Sequence, residues 1–84
     1  MKKLTKKVAK EIIMNVVGND ERLVSIYVND EDNYCEAILV DNFANAVEVK
    51  LLYNLCYISR QSLSSLMVCK HHDYSNCIDW SLYK

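Results

Sequence analysis

Thiol and imidazole side chains cluster near the end of the chain, in Cys69, His71, His72 and Cys77. Thiolates and imidazoles are the ligands of tetrahedral zinc sites. Such sites usually take their ligands in closely spaced pairs such as C-x-x-C, which this chain lacks. Two adjacent histidines also rarely both turn inward. We therefore expect no bound metal and no other cofactor.

The same segment contains the residue types of nucleophilic catalysis. A thiolate nucleophile needs a base and a third group that orients the base. The candidates are Cys69 or Cys77, His71 or His72, and Asp73 or Asp79. Proximity in sequence does not show convergence in one pocket, and a small domain has little room for a deep cleft. The single glycine, Gly18, also excludes glycine-rich loops that bind nucleotide phosphates. We therefore predict that the protein is not an enzyme.

Three consecutive acids, Asp30, Glu31 and Asp32, lie between two alternating segments. A tight turn at this point would project their carboxylates into solvent. Such a patch can steer the protein toward a basic surface, including a nucleic-acid channel, where it competes with phosphates. The alternative interpretation is an ordinary solvated turn.

Aromatic residues crowd the second half of the chain, at Tyr53, Tyr57, Tyr74, Trp80 and Tyr83. Tyrosine and tryptophan are favoured as interface anchors because they bury much area and keep a polar end. In a small domain they can instead close the core. With the acids Asp30, Glu31 and Asp32, we take Trp80 and Tyr83 as the candidate partner-binding residues.

Hydrophobic periodicity places these residues on an α+β framework. Apolar residues recur every fourth position through residues 3–17, which predicts a helix ended by Gly18 in a left-handed cap. Alternation through residues 22–29 and 34–40 predicts a β-hairpin, with Val24, Ile26 and Val28 on one face.

Residues 43–58 fit both a strand and a helix, and their tyrosines and β-branched residues favour the strand. Ser59 then fits the N-cap of a second helix over about residues 59–70, and alternation through residues 78–82 indicates a short closing strand. The predicted fold is thus one domain over residues 1–84, with an N-terminal helix, an antiparallel sheet of three to four strands and a second helix.

Residues 58–67, Ile-Ser-Arg-Gln-Ser-Leu-Ser-Ser-Leu-Met, resemble the turn and recognition helix of helix-turn-helix DNA-binding proteins. The resemblance implies a transcriptional regulator and a helix through residues 43–56. It also implies DNA contacts in the major groove from Arg60, Gln61, Ser62, Ser64 and Ser65. Tyr57 replaces the usual turn glycine, Tyr53 replaces the usual small residue, and the net charge of −1 attracts phosphate weakly.

Charge is segregated although the total is small. Residues 1–10 carry five lysines, whereas residues 11–48 carry nine acids and one arginine. The first residues lack the uninterrupted apolar stretch of a secretory signal, and no apolar run is long enough to span a bilayer. We therefore expect a cytoplasmic protein with reduced cysteines and no membrane association.

These features favour a small non-enzymatic protein-binding module that acts as an inhibitor or regulator. In size and composition the chain resembles small inhibitors encoded by phages and mobile elements, anti-CRISPR proteins among them. Its expected partner is another protein or a protein–nucleic-acid complex. Surplus apolar surface on the sheet leaves a homodimer open as well, and direct DNA binding belongs to the helix-turn-helix alternative.

Overall fold

The computed structural model describes residues 3–63, 71–73 and 78–83, and for residues 71–73 it describes the backbone alone. Its α-helix, α1, spans Lys6–Met14. The Thr5 hydroxyl accepts the Val8 N–H and caps the first turn. The helix ends at Asn15, which has right-handed backbone angles. The predicted left-handed cap at Gly18 is therefore wrong, although the predicted helix is confirmed over its central turns.

Behind α1 lies an antiparallel sheet in which each strand pairs with the strand before it in the chain. The strands are β1 (Glu21–Asn29), β2 (Tyr34–Asp41), β3 (Ala46–Leu52), β4 (Tyr57–Ser62) and β5 (His71–Asp73). The α+β class, the N-terminal helix and the β1–β2 hairpin are thus confirmed. The short β5 brings the described sheet to five strands instead of three to four.

A β-bulge at Val24 changes which residues of β1 face the helix. Leu23 pairs with Leu39 and Ser25 pairs with Ile38, so Val24 is the extra residue. As a result Leu23, Ile26 and Val28 pack against the core, whereas Val24 is 55% exposed. The prediction that Val24 shares a face with Ile26 and Val28 is therefore wrong.

Of the ambiguous residues 43–58, residues 46–52 form a strand, as their composition favours, but this strand is shorter than predicted. β3 stops at Leu52, a 3-10 turn occupies Tyr53–Leu55, and β4 begins at Tyr57. The predicted second helix near residues 59–70 is wrong in its first turn, because residues 59–62 belong to β4. Ladder pairing with β3 outweighs the local preference of Ser59 for a helix N-cap. The rest of that prediction, residues 64–70, lies outside the described residues.

The predicted closing strand at residues 78–82 is also wrong. Ile78 is buried, and Trp80–Leu82 form a 3-10 turn, which we call the C-terminal turn. The Asp79 carboxylate caps it by accepting the Ser81 N–H at 3.1 Å. Local capping by Asp79 therefore prevails over the alternating pattern.

The core lies between α1 and one face of the sheet. Its fully buried large side chains come from the helix side and from β2, β3 and β4, and they are Leu4, Ile12, Ile13, Leu39, Leu51, Ile58, Val49 and Cys35. No helix in the described part of the chain has the length and apolar character needed to cross a membrane.

Candidate protein-binding surface

The turn between β1 and β2 carries the three consecutive acids, which we call the acidic tip (Asp30–Asp32). All three side chains are exposed. Asn29 fixes the backbone beneath them, because its Oδ1 accepts the N–H groups of Glu31 at 3.1 Å and Asp32 at 3.2 Å. Its Nδ2 donates to the Asp32 carboxylate at 3.0 Å. Asparagine suits this place because its short side chain bonds the backbone of the following residues.

Asn33 joins the acidic tip to two other parts of the molecule. Its φ of 52° lies in the left-handed region, which asparagine tolerates better than most residues. Its Oδ1 accepts the Leu4 N–H at 2.7 Å, and its carbonyl accepts the Tyr53 N–H at 2.9 Å. Its Nδ2 donates to Asn54 Oδ1 at 3.1 Å. The tip is therefore held against both the start of α1 and the turn after β3.

An apolar side chain lies beside the acidic tip. Leu55, in the Tyr53–Leu55 turn, is 73% exposed. A shallow groove of about 260 Å³ links it to the tip, lined by Asp32, Asn33, Leu52, Tyr53, Asn54 and Leu55. Leu55 was not among the predicted partner-binding residues, because the alternating pattern placed it within a strand. Carboxylates next to an exposed leucine suit a partner surface with basic and apolar groups.

The acidic tip does not form either of the ion pairs in residues 3–63 and 78–83. Those pairs join Lys50 to Glu48 at 3.6 Å and Arg60 to Glu21. Lys3 and Lys6 lie across a groove of about 550 Å³ from Asp30. The tip therefore presents its carboxylates to solvent, with positive charge on the helix side.

The predicted aromatic anchors pack onto the body of the protein. Trp80 and Tyr83 are half-buried against the core, with ring centroids 6.5 Å apart at an interplanar angle of 70°. The Tyr53 hydroxyl donates to the Tyr83 carbonyl, and Asn15 Nδ2 donates to the Tyr83 hydroxyl at 3.2 Å. This geometry gives the two rings a structural role, closing the core between the sheet and α1. Their role in partner binding stays a prediction.

The structural basis of the helix-turn-helix interpretation is wrong in the described residues. Residues 46–52 are β3 and residues 58–62 belong to β4, where helices are required. Arg60 Nη1 donates to the Val16 carbonyl and to Glu21 Oε1, each at 2.9 Å, and its Nη2 bonds Glu21 Oε2. The Arg60 guanidinium therefore binds Val16 and Glu21 from a strand and does not project from a recognition helix toward a major groove.

Of the remaining predicted DNA contacts, Gln61 and Ser62 are half-buried in β4. Ser64 and Ser65 lie outside the described residues. The two positions that the structure describes are strand residues, so they cannot enter a major groove as parts of a recognition helix.

The thiol and imidazole segment is described in part. His71 and His72 lie in the backbone of β5, and Cys69 and Cys77 lie outside the described residues. Within the described part of the chain, no three histidine, cysteine or acidic residues are grouped closely enough to hold a metal ion. Cys35 is buried in the core and Cys56 is half-buried, and both are free thiols.

The acidic tip and Leu55 thus form the surface feature that the geometry best defines. Six hydrogen bonds of Asn29 and Asn33 hold the tip. Its acids are exposed and form no ion pair within residues 3–63 and 78–83. Comparisons with protein-family models, curated proteins and solved structures found no match to this chain. A functional conclusion therefore depends on this geometry.

Proposed function

We propose that the chain is a small non-enzymatic protein-binding module that inhibits or regulates its partner, as inhibitors of phages and mobile elements do. The observation that carries the proposal is the acidic tip, which holds three exposed carboxylates on a turn fixed by Asn29 and Asn33. Because these hydrogen bonds hold the turn in one conformation, binding would lose little conformational entropy at this site.

The partner that fits this surface is a protein, or a protein–nucleic-acid complex, with a basic patch. Exposed carboxylates at the rim of an interface mainly raise the association rate. Leu55, at the side of the tip, would supply the desolvated contact that slows dissociation. The proposal therefore assigns different kinetic roles to the tip and to Leu55.

The test begins with affinity capture from cells that express the chain, followed by mass spectrometry of the captured species. Association rates are then measured for the purified partner at low and high salt. We expect Asp30→Lys with Glu31→Lys to slow association by about tenfold or more at low salt, and the difference to shrink as salt screens the charges. Asp32 is left unchanged because it bonds Asn29.

Two matched controls separate the surface from general effects. Glu11→Lys with Asp20→Lys gives the same change in net charge at exposed positions outside the tip. Leu55→Ala should speed dissociation, whereas Leu82→Ala, at a side chain that is 72% exposed, should not. A tip variant that associates at the wild-type rate, or a charge control that is slowed equally, would contradict the proposal. Capture of DNA alone would favour the regulator alternative.

A further inference from the structure

β1 lies at an edge of the sheet. Among the residues that the structure describes, β1 pairs with β2 on one side and with no strand on the other. Successive residues of a strand direct their backbone groups to alternate sides, so about half of the N–H and C=O groups of β1 face the open edge. Such an edge is a template for pairing with another strand.

The composition of β1 does little to prevent such pairing. Proteins usually protect an open edge with lysine, proline or a bulge. Residues 23–29 contain no charged residue and no proline, and they include the exposed side chains of Val24 and Tyr27. The bulge at Val24 disturbs the first half of the strand, whereas Ser25–Asn29 continues in regular register with β2.

Space for an added strand lies beside Ser25–Asn29 of β1. The groove of about 550 Å³ that separates the start of α1 from β1 is lined on the strand side by Ile26, Tyr27 and Val28. A strand added at this edge would lie along the groove. Its helix-side residues would extend the apolar surface formed by Ile26 and Val28, both of which pack against the core.

We propose that β1 pairs antiparallel with β1 of a second copy of the chain, with Tyr27 opposite Tyr27 of that copy. This register places Ile26 opposite Val28, and both face the helix side of the sheet. It places Ser25 opposite Asn29, whose β2 partners, Ile38 and Tyr34, lie on the other face. The residues paired across the axis therefore share a face, as antiparallel strands require.

Charge complementarity identifies a second copy as the occupant and antiparallel as the direction. Arg22 precedes the uncharged segment and the acidic tip follows it. Antiparallel pairing brings Arg22 of each copy toward the acidic tip of the other, whose Asp30 lines the groove beside β1. Parallel pairing would instead bring the two acidic tips together. Because each tip has three acids and meets one arginine, both tips keep a net negative charge in the dimer. The dimer proposal does not depend on the proposed partner.

The experiment is sedimentation velocity on the isolated full-length chain over a range of concentrations. We expect a reversible dimer for the wild-type protein. Tyr27→Lys should raise the dimer dissociation constant by at least about tenfold, since it sets two lysines opposite each other at the axis. Phe43→Lys is the matched control, because Phe43 is 80% exposed in the β2–β3 turn, away from this edge.

A charge exchange tests the register even if Tyr27→Lys disturbs folding. Arg22→Asp should weaken the dimer, and Arg22→Asp combined with Asp30→Arg should restore it. Circular dichroism of each variant checks that it is folded. A wild-type chain that stays monomeric at every concentration overturns the proposal, and so does a Phe43→Lys variant that dissociates as far as Tyr27→Lys. Neither result affects the partner proposal, because no partner is present.

Discussion

At the scale of single residues, Cys35 shows how burial determines chemistry. Its side chain faces the helix from β2 and is fully buried. Burial, with a smaller effect from the negative charge of Glu36, raises the pKa of the Cys35 thiol from its ordinary value of 9.0 to about 11. A thiol that stays protonated at neutral pH is a poor nucleophile. Cys35 is therefore a core residue and not a reactive one.

This raised pKa predicts a pH dependence of stability. Well below pH 9 the thiol is protonated in both the folded and the unfolded state, so its contribution to stability is fully present. As the pH rises toward 11 the unfolded thiol ionises first, and the free energy of unfolding should fall, by about 2 kcal/mol for a shift of this size. Urea unfolding at a series of pH values should show a shallower decrease for Cys35→Ala than for the wild type. Cys56→Ala, which removes a half-buried thiol, is the matched variant for comparison. A slope for Cys35→Ala equal to that of the wild type would refute the prediction.

At the scale of elements, an ion pair joins strands that are not neighbours. Glu21 begins β1 and Arg60 lies in β4, with β2 and β3 between them in the sheet. The Glu21 side chain is 6% exposed and that of Arg60 is 19% exposed. Glu21 Oε1 also accepts the Gly18 N–H at 2.7 Å, so the pair fixes the connection between α1 and β1. Its geometry is bidentate, which is the strong arrangement for arginine and a carboxylate.

We expect the two partners of this pair to be strongly coupled in stability. Glu21→Leu alone should lower the free energy of unfolding by about 3 kcal/mol, because it removes the buried carboxylate that binds the half-buried Arg60 guanidinium in a bidentate arrangement. The double variant with Arg60→Met should be less destabilised than Glu21→Leu alone, since removing both charges also removes their desolvation cost. Chemical denaturation of the two single variants and the double variant measures the coupling. Additive losses would show that the pair contributes little.

The hydrophobic periodicity correctly predicted the type of an element where one face of that element is buried along its whole length. This holds for the middle of α1, for β2 and for β3. It failed at Val24, because a bulge there turns Leu23 instead of Val24 toward the core, and no local pattern shows the bulge. It failed at Ser59 as well, because a serine that suits a helix cap is equally compatible with a strand when a neighbouring strand supplies hydrogen bonds.

For the candidate site, the position of the acidic tip could be predicted from the sequence, but its contacts with distant residues could not. Three acids between two alternating segments identify an exposed turn, and the acidic tip lies there. The side-chain bonds of Asn33 to Leu4 and Asn54 depend on residues distant in sequence, so no local pattern contains them. For the same reason the sequence could not place Leu55 beside the tip.

At the scale of the whole molecule, the C-terminal turn joins the helix to the sheet. Ile78 belongs to the core, and Trp80 and Tyr83 pack against it. The Tyr83 carbonyl accepts from Tyr53 after β3, and its hydroxyl accepts from Asn15 after α1. A segment of a few residues therefore contacts both layers, which makes it important for the stability of the complete fold.

We therefore expect Trp80→Ala to lower the free energy of unfolding by about 2 kcal/mol, since the indole ring is half-buried and a fully buried one would cost more. Leu82→Ala, in the same turn, should change it by less than about 0.5 kcal/mol because Leu82 is largely exposed. Urea unfolding followed by far-ultraviolet circular dichroism measures both variants without relying on Trp80 fluorescence. Equal effects for the two variants would show that the turn does not help to close the core.

The order of the strands has a further consequence for how the protein is made. Because every strand pairs with its predecessor, a chain emerging from the ribosome can add each strand to a sheet that is already present, with short loops to close at each step. Glu21 is an exception, since its partner Arg60 is synthesised 39 residues later. Until Arg60 emerges, the start of β1 has an uncompensated carboxylate at the edge of a growing sheet. The ion pair thus forms when β4 joins the sheet, after the local pairings of β1, β2 and β3 and before β5 and the C-terminal turn are added.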